Sequence, residues 1–92
     1  MLFAISYQGR PETRNAAIER FLRTGGLPPA GVKMIGRWHN IASISGVAVA
    51  ECDDAMLMPK WALDWSDLFQ IEVHTVLTDE QAGPLLAAAV KS

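Results

Sequence analysis

The sequence predicts an α+β domain with element order β-α-β-β-α-β, a four-stranded antiparallel sheet and a further C-terminal helix. Three observations carry this expectation. Phe69 to Leu77 alternates apolar and polar residues with the period of two that marks a strand, and Leu2 to Gln8 does so more loosely. Ala17, Ile18, Phe21 and Leu22 form one apolar stripe at helical spacing, and Leu57, Trp61, Trp65 and Leu68 form a second. Between the stripes lies a hairpin pattern. Strand–helix–strand therefore occurs twice, which is the split-βαβ, ferredoxin-like arrangement.

The first strand, Leu2–Gln8, sets Phe3, Ile5 and Tyr7 against Leu2, Ala4 and Ser6. Gly9-Arg10-Pro11 breaks it. Pro11 suits a first helical position, and the helix runs to about Thr24, where Gly25-Gly26 supplies a stop. Leu27 to Gly31 is a proline-rich connector. Val32 to His39 reads as the second strand, with Val32, Met34, Gly36 and Trp38 on one face and Lys33, Ile35, Arg37 and His39 on the other. A turn over Asn40–Ser45 leads to a third strand, Gly46–Glu51. Asp53 or Asp54 is a suitable cap for a second helix reaching about Leu68. Pro59 either kinks that helix or starts its regular part. In the fourth strand, Phe69–Leu77, Phe69, Ile71, Val73, Thr75 and Leu77 oppose Gln70, Glu72, His74 and Val76. Thr78 with Gln81 forms a capping box for a last helix, which Gly83-Pro84 shortens to a regular part over Pro84–Val90.

Bulk composition narrows the function. The chain has 92 residues, read as one domain over 1–92, and a formal net charge of −2. Half of its residues are hydrophobic, more than a chain of this size easily buries alone, so a homodimer is expected. The sequence pI of about 5.5 and the absence of a basic run argue against a nucleic-acid partner. The third strand, Gly46-Val47-Ala48-Val49-Ala50, also lacks the aromatics that an RNA-recognition sheet stacks on bases. No stretch is long and apolar enough to span a membrane, and no signal peptide is expected at the N-terminus. A single cysteine, Cys52, excludes an internal disulfide and a cysteine-rich metal site, and fits a cytoplasmic setting.

A resemblance sharpens the fold. Arg14 to Phe21, Gly25 to Lys33, Gly36-Arg37-Trp38-His39, Asp53-Asp54 and Trp61 to Trp65 together resemble a small uncharacterised bacterial family of domains of unknown function. That family lies in the dimeric α+β-barrel superfamily, and Gly36-Arg37-Trp38-His39 is the most specific piece. The resemblance implies a homodimer in which two sheets close a barrel. It implies no established activity and no cofactor. Relatives in the superfamily include cofactor-independent oxygenases, isomerases, cyclases, haem-handling enzymes and stress-induced proteins.

Candidate site residues follow from the strand faces. If strands two and four present their polar sides to the barrel lumen, Arg37, His39, Glu72 and His74 share a polar cavity, with Gln70 beside them and Tyr7 as a further phenol. Such a cavity would hold a small anionic or phenolic molecule, with His39 or His74 transferring protons near neutral pH. In the competing reading, the same residues meet solvent or a dimer seam, and the chain is a non-enzymatic accessory module. No metal-ligand spacing is present, and Trp38, Trp61 and Trp65 read as core.

Overall fold

The computed structural model describes residues 1–91. Strand β1 spans Leu2–Gly9, helix α1 Arg14–Thr24, strand β2 Val32–Asn40 and strand β3 Ser45–Cys52. Helix α2 then covers Leu57–Trp65, strand β4 Phe69–Val76 and helix α3 Asp79–Lys91. The strands form one antiparallel sheet in the order β2-β3-β1-β4, the ferredoxin-like arrangement.

Local chemistry accounts for the boundaries. Pro11 opens a single 3-10 turn ahead of α1, and Gly25 closes α1 in the left-handed conformation at φ 74°. Pro59 falls in the first turn of α2, two residues after its start at Leu57, where its missing N–H is tolerated, so it neither begins the helix nor breaks it. The cap of α2 differs from the expected one. Asp54 accepts from the Met56 N–H at 3.0 Å, but the helix itself starts at Leu57. The Thr78–Gln81 capping box forms in both directions, at 3.0 and 3.2 Å. Helix α3 runs on through Pro84, longer than the expected Pro84–Val90 segment.

The core lies between the sheet and α2. Phe3 and Ile5 from β1 and Ala48, Ala50 and Cys52 from β3 are buried with Met58, which is 1% exposed. Ala48 and Ala50 leave room above the central strand, and the flexible Met58 side chain fills it. Helix α1 contributes only Ala17 to the buried set. It is tied down by polar contacts. The Thr13 hydroxyl donates to the Leu68 carbonyl at 2.8 Å. Arg20 grips both carboxylate oxygens of Asp67, at 2.7 and 2.9 Å, and the Asp64 carbonyl at 3.0 Å. This pairing keeps the Asp67 carboxyl below its usual range and the Arg20 guanidinium above its own.

One strand departs from simple alternation. Met34 of β2 pairs with Ala50 of β3, and Gly36 pairs with the very next partner, Val49. Ile35 is the extra residue of a β-bulge. Val32 and Met34 therefore face the helices, as expected. Beyond the bulge every side chain changes face relative to the expectation. Arg37 and His39 point to the helix side, opposite Ala48 and Gly46. Trp38 stands on the open face, 60% exposed, and is not core. Its ring lies over Gly36, where a Cβ would collide with it.

Candidate functional site

The bulge divides the expected cluster. Gln70, Glu72 and His74 sit on the open face of β4, in register with Gln8, Ser6 and Ala4. There His74 Nε2 lies 3.3 Å from Glu72 Oε2, and both side chains are exposed. Tyr7, Arg37 and His39 lie on the opposite side, under the helices. The two groups cannot share one cavity, because the sheet separates them.

The helix side holds a cavity of about 440 Å³, within the size range of small-molecule sites. Helix α1 forms one wall through Ala17, Ile18, Phe21 and Leu22. Helix α2 and β4 form another through Trp61, Trp65, Phe69 and Ile71. Trp61 and Trp65 thus follow the apolar stripe, as expected, and line this space as well. Tyr7, Arg37 and His39 supply polar groups along the sheet, Asn40 and Ser45 add two more at the hairpin end, and no aspartate or glutamate lines the cavity.

These polar groups are linked. The Tyr7 hydroxyl on β1 reaches His39 Nδ1 on β2, across the intervening strand β3. Gly46 of β3 makes that reach possible, since any Cβ there would strike the Tyr7 ring and hydroxyl. Burial raises the Tyr7 pKa, with Arg37 opposing the change. Burial and the Arg37 charge both lower that of His39. At neutral pH Tyr7 is therefore protonated and His39 uncharged. We assign the phenol as the donor, because a phenol O–H donates better than it accepts and an imidazole nitrogen is the better acceptor; Nδ1 then accepts and the histidine proton lies on Nε2.

Arg37 has a structural task. Its Nη1 donates to the Gly26 carbonyl at 2.6 Å and its Nη2 to the Gly25 carbonyl at 3.0 Å. It thereby holds the end of α1 over the sheet. The Phe21 ring stacks against the guanidinium, 5.0 Å from centroid to Cζ. From Phe21 an aromatic chain continues around the cavity. His39 lies 5.3 Å from Phe21, Tyr7 5.9 Å from His39, Phe69 5.1 Å from Tyr7 and Trp65 5.8 Å from Phe69.

The hairpin loop 41–44 adds Ile41 and Ile44 to the lining. Ile44 adopts φ 48°, a strained conformation for a β-branched residue. Its carbonyl accepts from the Gly9 N–H at 2.8 Å, and Gly9 has no Cβ to block that approach. Phe21, Ile44 and Gly46 had not been singled out as site residues. Gly46 carried a signal, since a glycine inside a strand often marks a close approach of other atoms.

Fold and site together define a ferredoxin-like α+β protein with an aromatic-lined cavity between its sheet and helices. The chain belongs to the family described as Domain of unknown function (DUF3303), whose model matches residues 1–90. No curated protein and no solved structure gives a match.

Two measurements check this geometry. Gly46→Ala should destabilise the protein by about 1–3 kcal/mol through overpacking, read by urea denaturation. The second concerns pH. The folded-state pKa of His39 lies below its unfolded value, so its contribution to stability is complete above about pH 6.5. That contribution is lost as pH falls through the lower folded value. An NMR titration should find the His39 midpoint below 6.5, and Arg37→Gln should move it upward. The stability margin of wild type over His39→Gln should narrow from pH 7 to pH 5.

Proposed function

We propose that this protein binds a small organic molecule in the cavity between α1, α2 and the sheet. The observation that carries this reading is the hollow itself. About 440 Å³ lies where two helices and a sheet would otherwise pack, and a hydrogen-bonded tyrosine–histidine pair stands on its wall. The cleft opens to solvent past Leu22 and Ile41, and its apolar walls are surface that a bound molecule would bury. His39, neutral and held by Tyr7, is the group suited to proton transfer. The polar site thus moves from the expected barrel lumen to the helix side. His74, Glu72 and Gln70 are left to the open face.

Native mass spectrometry of protein purified from its own host is the direct test. The expected result is a protein mass with a bound small molecule, lost in Ile18→Trp, which fills the cavity from α1. A bare mass for the wild-type protein would overturn the reading.

The open face favours the second expected partner, another copy of this chain. Trp38 is 60% exposed and Val47 51%, side by side in register. Ile35 is also exposed, and elsewhere on the molecule α3 exposes Leu85, Leu86 and Val90 and buries no residue of its own. Apolar surface of this kind is typical of an interface. In the accessory-module alternative, this face would be the functional surface and the cavity would stay empty. No helix of the described residues is long and apolar enough to cross a membrane, and the buried thiol Cys52 suits a reducing, cytoplasmic setting. Sedimentation equilibrium should give a dimer, and Trp38→Ser with Val47→Lys should give a folded monomer. A monomeric wild-type protein would exclude the homodimer.

A further inference from the structure

The lining of the cavity specifies more than a small molecule. Resting on the binding reading above, we infer that the ligand is a flat, fused-ring aromatic molecule that presents one hydrogen-bond-accepting oxygen to His39 Nε2–H.

The aromatic chain sets the shape of the ligand. Phe21, His39, Tyr7, Phe69 and Trp65 follow one another at centroid separations of 5.1 to 5.9 Å, and four successive pairs run from α1 across the sheet to α2. Aromatic faces and edges reward a partner ring through offset and edge-on contact, beyond the area that is buried. An aliphatic chain of equal volume would gain the burial alone.

The free donors set the polarity of the ligand. Tyr7 already bonds with His39 Nδ1. The end-on fork of Arg37 is committed to the Gly25 and Gly26 carbonyls, at 3.0 and 2.6 Å. Carboxylates are best held by such a fork, and the end-on fork of Arg37 is already taken by the chain itself. His39 Nε2–H is the remaining donor of the linked pair and matches one acceptor; the other polar lining residues, Asn40 and Ser45, sit at the hairpin end, where the Ser45 hydroxyl pairs with that of Ser43. With Arg37 nearby and no carboxylate in the lining, the field favours the negative end of a dipole and opposes a cation. A phenolic hydroxyl and an aryl ketone share this chemistry.

The test uses the full chain and the quenching of its tryptophan fluorescence, since Trp61 and Trp65 line the cavity. The probes are 2-naphthol, 2-acetonaphthone, naphthalene, decahydro-2-naphthol and 2-naphthoate. At least one of 2-naphthol and 2-acetonaphthone should bind about tenfold more tightly than naphthalene, the upper end of what one net hydrogen bond contributes. Which of the two binds more tightly identifies hydroxyl or carbonyl as the oxygen source. That same probe should also exceed decahydro-2-naphthol and 2-naphthoate. In His39→Leu the advantage over naphthalene should vanish while naphthalene itself still binds. Equal affinities for naphthalene and both oxygenated probes would overturn the inference. So would a preference for the saturated alcohol or for 2-naphthoate. All three results leave the cavity-binding reading intact. Failure of every probe, together with a bare mass from the host, would overturn both.

Discussion

The bulge at Ile35 is the constraint on which the site depends. One extra residue in β2 sends Arg37 and His39 beneath the helices and Trp38 out to the open face. Without it, the tyrosine–histidine pair could not form, because β1 would present Tyr7 to one side of the sheet and β2 would present His39 to the other. The same step frees Arg37 to hold the loop at the end of α1. A single register shift thus fixes both the polar group of the cavity and the position of one wall.

The cavity persists because α1 is secured at its ends and along its polar edge, not by packing into the sheet. Thr13 and Arg20 fasten it to the end of α2, and Gly25 and Gly26 fasten it to Arg37. Between those anchors Phe21 and Ile18 face open volume. The glycines are as necessary as the large residues. Gly46 admits the Tyr7 ring over β3, and Gly9 admits the Ile44 carbonyl at the loop. Each is a place where the absence of one carbon lets two distant segments meet.

Much of the fold was legible in the sequence. The two strand–helix–strand units, the glycine stop of α1, the capping box of α3 and the faces of β4 all follow from local rules, and the structure has them. Helix α2 was legible only in part, since Asp53 and Asp54 suggested an earlier start than Leu57. The site was legible as residues but not as a constellation. Tyr7, Arg37 and His39 come together, whereas Gln70, Glu72 and His74 lie across the sheet from them. An alternation rule applied to Val32–Asn40 has no term for an inserted residue, so it misplaced everything after Ile35.

The sequence by itself determined the order of the elements, the apolar stripes that cover one sheet face, and the acidic balance that argues against a nucleic-acid partner. These depend on periodicity, capping and charge, which act between near neighbours. Only the tertiary structure decided that His39 meets Tyr7 and that Trp38 faces outward. It also decided that a hollow opens beside α1. Those outcomes depend on pairing between β2, β3 and β1, where one bulged residue reverses a face and one glycine opens a path. Such events are set by contacts across strands, which no local pattern encodes.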